Sequence, residues 1–431
     1  MSMPPPDLEA VAADQTPTGA LPLRGVRILA IEQYGAGPFA TMVLADLGAE
    51  VIKIEVPGNG DIGRSVPPWT GEDDSLFFQS LNRGKSSVVI DLKEPRGREV
   101  FTRLVANSDA VFSNARGSSA ASLAITYDDL KAYNPAIVCA FLTGFGRQGP
   151  RADQPAYDYI IQALSGMAAL GGEPGGPPAR AGVSVVDFSA GLAAAVALLA
   201  GVHRARATGL GGDVDTSLFA TALNLTNYVA SWVLTRDYQP ERQPRGGHPS
   251  IVPSQLFEAA DGWLMVMCQT NAFYRELSTR LAVPELAAER FATMGLRFQN
   301  RQELLAMLEK IFKAGSVAHW LDLLEGGVPV APVNDVGSAL RDPQVEAEDL
   351  IIEYQHEQFG LVRQVAGPIK TGPAPRRVAR GPRLGEHTLA VLGSVAGVSA
   401  EALADLEADG VVQGERKKAA KEPGKEEVNR A

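Results

Sequence analysis

The chain has 431 residues, enough for two or three domains of ordinary size and a large core. Its formal charge of −10, with no basic face, excludes nonspecific nucleic-acid binding, although an acidic protein can still build a local site for a small anion. Cys139 and Cys268 are its only cysteines and both lie in apolar runs, so they read as buried free thiols of a cytoplasmic protein, not as a disulfide framework.

Residues 1–21 are Pro-rich and mildly acidic, lack the basic and apolar segments of a signal peptide, and read as a disordered arm. Val26, Ile28, Leu29 and Ile31 make a buried strand. Gly35-Ala-Gly37-Pro turns it into a helix over 39–47, Gly48 ends that helix, and residues 50–55 form the next strand, giving a βαβ unit. Gly35 to Ala40 also matches G-x-G-x-x-A, with Glu55 twenty residues after Gly35, where a dinucleotide fold carries its ribose acid. Pro38 argues against a nicotinamide or flavin there, because it removes an N–H from the pyrophosphate cradle. A Gly/Pro-rich loop over 58–74 follows, then strands over 86–92, 109–113 and 136–142 alternating with helices. That alternation predicts a parallel sheet covered on both faces.

Asp158 precedes a further helix. Val183, Val185 and Val186 read as a short strand ending at Asp187, with an Ala/Leu-rich helix over 188–206 after it. A carboxylate between a strand's C-terminus and a helix's N-terminus is well placed for chemistry, and equally well placed as a simple N-cap. The apolar part of that helix, 188–202, is short and Gly/Ala-rich for a membrane span. Residues 236–253 are polar and rich in Pro and Gly and read as a linker. A hairpin around Asp261-Gly262 and three helices make a smaller α+β domain over 254–340. The expected organisation is therefore a disordered arm over 1–21, a large domain over 22–235, a linker over 236–253, the small domain over 254–340, a return segment rejoining the large domain over 341–411, and a charged disordered tail over 412–431.

Longer motifs carry a resemblance. They are Leu-Arg-Gly-Val-Arg-Ile-Leu from 23, Gly-Ala-Gly-Pro from 35, Leu-Gly-Ala-Glu-Val-Ile-Lys-Ile-Glu ending at 55, and Asn-Arg-Gly-Lys-Ser from 82. Ile-Asp-Leu-Lys at 90–93, Thr-Gly-Phe-Gly from 143, Tyr-Asp-Tyr-Ile-Ile-Gln-Ala from 157, Gly-Val-Pro-Val-Ala-Pro-Val-Asn from 327 and Leu-Gly-Glu-His-Thr from 384 continue the series. In this order and spacing the chain resembles the class III CoA-transferases, relatives of the α-methylacyl-CoA racemases. The resemblance implies a Rossmann-like large domain with a parallel sheet plus a smaller domain, in an interlocked homodimer. It implies an enzyme that moves CoA from an acyl-CoA to an organic carboxylate, with CoA as substrate and neither a metal nor a tightly bound cofactor. Asp187 matches the nucleophile that carries the acyl anhydride and then the CoA thioester, and Asp158 a supporting acid. Gly35, Ala36, Ile90, Asp91, Leu92, Lys93, Asn114, Ala115 and Arg116 match CoA-contacting segments. No nucleic-acid or membrane partner is implied.

The chain departs from the family pattern in places. Val56 and Ser122 stand where some members carry CoA-binding arginines, and Pro155 where a subgroup has a lysine. Arg64 or Lys85 are the substitutes the sequence offers for the CoA phosphates. The glycine-run lid of formyl-CoA transferases is replaced by Arg245-Gly-Gly-His-Pro249, which argues against formate or oxalate as substrate. Two alternatives remain: a racemase, for which Phe145 stands in place of the required histidine, and a non-catalytic subunit of a heteromeric transferase.

Overall fold

The computed structural model describes residues 21–371 and 376–415. The chain divides into two units. Met1–Tyr157, Val185–Thr221 and Asp349–Ala431 form the first, and Asp158–Ser184 with Ala222–Glu348 form the second. Residues 158–184 and 222–235 thus group with the second unit instead of the large domain in which the sequence places them. Arg242 supplies one physical reason. Its Nε donates to Ala169 O at 3.0 Å and its Nη1 to Glu173 O at 3.3 Å, tying residues 169–173 to the chain beyond residue 222.

In the first unit, β1 (Arg27–Ile31), α1 (Ala36–Asp46), β2 (Glu50–Glu55), α2 (Leu76–Asn82), β3 (Ser86–Ile90), α3 (Pro95–Ala106), β4 (Ala110–Ser113) and β5 (Val138–Thr143) follow the expected alternation. The helix α4 (Val185–Thr208) and the strand β6 (Gly212–Ser217) complete it. The parallel strands are ordered β3-β2-β1-β4-β5-β6, with Leu29 opposite Ile52 on one side and Val111 on the other. Leu29, Ile52, Val88, Phe101, Val111 and Phe141 are fully or almost fully buried in the core. The order in which strands are added reverses at β1, so the crevice beyond the C-terminal ends of β1 and β4 is the topological switch point, where ligands bind in open α/β sheets.

The segment before Asp187 corrects the sequence reading. No strand forms at 183–186; α4 already begins at Val185, and Asp187 is in its first turn. β6, not the valine run, takes the edge of the sheet beside β5. The helix is also longer than expected, at 24 residues, and is apolar enough to cross a membrane by length and composition. Half of its apolar window is buried instead, and Val186, Ala190, Ala194 and Leu198 face the protein interior.

The second unit contains β7 (Ser254–Glu258), β8 (Trp263–Met267) and β9 (Val330–Pro332) in an antiparallel sheet, with the expected hairpin joining β7 and β8. Phe257, Leu264, Phe312 and Trp320 lie in its core. The chain then returns to the first unit through the hairpin of β10 (Ile351–His356) and β11 (Gly360–Val365), α5 (Thr388–Ser394), α6 (Ala400–Ala408) and β12 (Val412–Gln413). β12 pairs antiparallel with β3, so the first residues of the expected tail are strand. The expected arm and the rest of that tail lie outside the described residues, apart from Leu21 and residues 414–415.

Close packing of α4 on α1 depends on Gly191. A Cβ there would lie 2.9 Å from Ala36 O and 3.0 Å from the Phe39 ring. Gly191→Val is expected to destabilise the protein by about 1–3 kcal/mol through overpacking. An unchanged denaturation midpoint would contradict this packing.

Candidate functional site

The turn after β1 carries the site. Tyr34 adopts φ +72°, a left-handed conformation that a bulky side chain rarely takes unless its surroundings impose it. Here three hydrogen bonds impose it. Gln33 N donates to Asn114 Oδ1 at 3.0 Å, Asn114 Nδ2 donates back to Gln33 O at 2.9 Å, and Tyr34 N donates to Asp61 Oδ1 at 2.9 Å. The turn then delivers Gly35 as the N-cap residue of α1. Asp187, only 8% exposed, lies directly against it: a Cβ on Gly35 would be 2.9 Å from Asp187 Oδ2.

Asp187 and this turn line a cavity of about 340 Å³ at the switch point, together with Asn114, Ala115, Arg116, Thr143 and Tyr157. Arg116 is exposed there, and among the described residues no carboxylate pairs with it. The cavity therefore offers one carboxylate in the first turn of a helix, small residues that let a ligand approach the backbone, and one cation.

Beneath the turn, three carboxylates and three cations are sealed from water. Lys53 Nζ reaches Asp61 Oδ2 at 2.8 Å and Glu32 Oε1 at 3.6 Å. Lys85 Nζ meets the same Glu32 oxygen at 2.7 Å and also bonds Pro38 O and Asn82 Oδ1. Arg64 grips Glu55 through Nη2 at 2.7 Å and Nε at 2.8 Å, and Ser87 donates to Glu55 as well. Burial alone would push the Glu55 and Asp61 carboxyls up. Arg64 on the first and Lys53 on the second outweigh it and hold both below the ordinary carboxylate range. Lys85 goes the other way. Burial pushes its ammonium down to about 8, with Glu32 and Asp61 opposing that shift and Lys53 adding to it.

The structure brings Asp187, Gly35, Ala36, Asn114, Ala115 and Arg116 to one cavity. It does not bring Ile90, Asp91, Leu92 and Lys93 to it. Ile90 is buried in the core opposite Val412, Asp91 accepts the Lys93 amide, and Lys93 is exposed outside the cavity lining. Asp158 belongs to the second unit, where it is buried at the start of the short helix Asp158–Leu164 and accepts a hydrogen bond from Gln162. Arg64 and Lys85 are corrected as substitutes for the phosphate-binding arginines: at 2% and 4% exposure they are committed to Glu55 and Glu32. For the same reason Glu55 is no ribose ligand. Sequence reasoning missed Tyr34, Asp61 and Lys53. The available signal was a lysine between two isoleucines in a strand buried on both faces, which demands a buried acid.

Residues 23–388 match the family model described as CoA-transferase family III. The chain belongs to that family. A human succinyl-CoA:glutarate CoA-transferase is 35% identical over 396 residues, spanning 91% of this chain and 90% of the relative. An acetyl-CoA:oxalate CoA-transferase from Acetobacter aceti is 35% identical over 353 residues, covering 81% and 89% of the two chains. A solved CAIB/BAIF family protein from Brucella suis superposes with a TM-score of 0.75 at 34% identity, over 87% of this chain and all of that one. The α/β fold with its large parallel sheet matches that neighbour, and the protein is an enzyme that transfers CoA between an acyl-CoA and a carboxylate.

Two expectations follow. In this CoA-transferase, Gly35→Ala should fold normally yet lower turnover by about tenfold or more, because its Cβ would displace the Asp187 carboxylate that lines the cavity, and misplacing a group by a fraction of an ångström in a site costs heavily where that group acts on the substrate. Wild-type turnover in that variant would show that the contact does not matter. The second concerns pH. The folded Lys85 gives up its proton near pH 8, below its ordinary value of 10.5. Between those values the unfolded chain binds more protons, so this group makes stability rise with pH there and contributes no slope below, with a limit of about 1.4 kcal/mol per pH unit. Denaturant titrations from pH 7 to 10.5 should show that component in the wild type and not in Lys85→Met. Parallel stability curves would contradict it.

Proposed function

We propose that the enzyme transfers CoA to a dicarboxylic acid through covalent intermediates on Asp187. The observation that carries this reading is the Asp187 carboxylate in the first turn of α4, lining the switch-point cavity and held against Gly35. A carboxylate oxygen of Asp187 attacks the acyl-CoA carbonyl and expels the CoA thiolate, leaving a mixed anhydride. The thiolate attacks the Asp187 carbonyl carbon and releases the donor acid, leaving an aspartyl-CoA thioester. An acceptor carboxylate attacks that thioester, forms a second anhydride and expels the thiolate again. The thiolate takes the acceptor's acyl group and Asp187 is restored. Covalent catalysis divides one hard exchange into easier steps, and the burial of Asp187 limits the water that reaches each intermediate.

Arg116 is the cation we assign to a CoA phosphate, with Gly35 and Ala36 allowing the thioester close to the backbone. Asp158 is assigned a supporting role. The dicarboxylate assignment rests on relatives named for glutarate, mesaconate and oxalate. The oxalate relative keeps that acid in the acceptor panel despite the missing glycine-run lid. Against racemisation, the ring of Phe145 packs on Phe219 and under Arg151 and supplies no base. A homodimer is the expected assembly. Leu192 and Val196 on α4, 40% and 67% exposed, are apolar surface that a second copy would cover.

Asp187→Asn keeps the volume and should fold, while transfer from succinyl-CoA to a panel of dicarboxylates falls to the assay floor, since an amide cannot form the anhydride. Asp158→Asn should retain reduced transfer. Hydroxylamine added with acyl-CoA should leave a hydroxamate on the wild-type Asp187 peptide. Near-normal transfer by a folded Asp187→Asn protein would make Asp187 a helix residue only and overturn the proposal.

A further inference from the structure

The buried charges under the turn do more than a core needs. Replacing such a cluster by apolar residues of equal volume is often neutral or stabilising, so its presence calls for a use. One of its members reaches out of it. Asp61 places Oδ2 on Lys53 at 2.8 Å and Oδ1 on the Tyr34 amide at 2.9 Å. Its own amide donates to Glu55 Oε2 at 2.9 Å, and Gly63 N bonds the same Oδ1 at 2.7 Å, so the carboxylate has no freedom to swing away. On the opposite side, Asn114 grips Gln33 through both its amide and its carbonyl. Tyr34 is the residue with the unfavourable left-handed backbone, and the next residue is the one pressed on Asp187.

We infer that Asp61 is a positioning residue for CoA transfer: fixed by Lys53, it holds the Tyr34 amide and so sets Gly35 at the distance that aims the Asp187 carboxylate. The inference rests on Asp187 as the nucleophile. It deepens that reading by assigning the aim of the carboxylate to a residue that touches neither substrate nor Asp187. Lys53 serves by clamping Asp61, and Glu32 and Lys85 balance the charge behind it. Such a residue acts on the reacting geometry and leaves CoA binding almost untouched.

The test compares two double variants of the full-length enzyme. Lys53→Met with Asp61→Asn removes one charge of each sign but keeps an oxygen that accepts the Tyr34 amide. Lys53→Met with Asp61→Ala has the same charge balance and no such acceptor. Circular dichroism and thermal unfolding establish that each is folded. The first is expected to retain kcat within about threefold of wild type. The second should lose about tenfold or more in kcat and kcat/KM together with KM for acyl-CoA nearly unchanged, the signature of an interaction that matters in the transition state. Equal kcat for the two folded doubles would overturn the inference, because the loss would then belong to the charges and not to the amide. Should the alanine double fail to fold, Lys53→Met with Asp61→Leu, which fills the space of the carboxylate and likewise has no acceptor for the Tyr34 amide, takes its place. A fall in kcat supports the inference and unchanged kcat overturns it. Asp187→Asn is assayed alongside. Activity in that variant defeats the nucleophile assignment itself, whereas a dead Asp187→Asn with two equal doubles defeats only the role of Asp61.

Discussion

A single ion pair that water cannot reach, Lys53 with Asp61, ties the sheet to the site. Lys53 comes from the middle of β2 and is fully buried, so its charge must be compensated on the spot. Removing one member of such a pair costs about 3–5 kcal/mol, because the other is left buried and unpaired. The compensation fixes Asp61, Asp61 fixes Tyr34, and Tyr34 delivers Gly35 to the Asp187 carboxylate. Glu32 at the end of β1 shares the network with Lys53 and Lys85, so the strands on both sides of that contact are locked to the same charges.

The C-terminal return segment belongs to the same construction. Arg64 donates to Pro382 O at 3.1 Å, Gly385 N donates to Ser87 Oγ at 2.9 Å, and Thr388 Oγ1 accepts the Val89 amide at 3.0 Å. The Leu-Gly-Glu-His-Thr motif at 384–388 is thus a strap over β3 and Glu55, hundreds of residues from the site in sequence. Its threonine supplies an acceptor to the Val89 amide, and its glycine takes φ +70° where a Cβ would lie 2.6 Å from Gln413 O.

The alternation of strands and helices over 26–143 was legible because its two periods are distinct and Gly and Pro punctuate them. The order of the strands was not, since nothing local in a strand names its neighbour. The run around Val183 misled for a physical reason. Three valines in four positions satisfy a strand pattern and a helix turn equally, and nothing local in the run decides between them. Asp187, Gly35 and Asn114–Arg116, which the family motifs single out, meet at one cavity. Lys93 and its neighbours were carried over by the same motifs, yet they lie outside the cavity. Arg64 and Lys85 were misjudged because their charges looked free in sequence, while their acids come from other segments. Tyr34 and Asp61 went unseen because a backbone amide held by a distant carboxylate leaves no mark in the chain.

If Asp187 is the nucleophile, it must exchange oxygen with its substrates. That exchange is read by running the reaction with an acceptor dicarboxylate labelled with oxygen-18 in its carboxylates and weighing the peptide that contains Asp187. The covalent route hands one acceptor oxygen to Asp187 when the thiolate opens the second anhydride. After a single turnover the peptide should therefore gain one heavy oxygen, which later turnovers pass to the departing donor acid. A peptide that stays unlabelled while acyl-CoA product accumulates would mean that CoA passes between the acids without touching Asp187, and covalent catalysis at that residue would be contradicted.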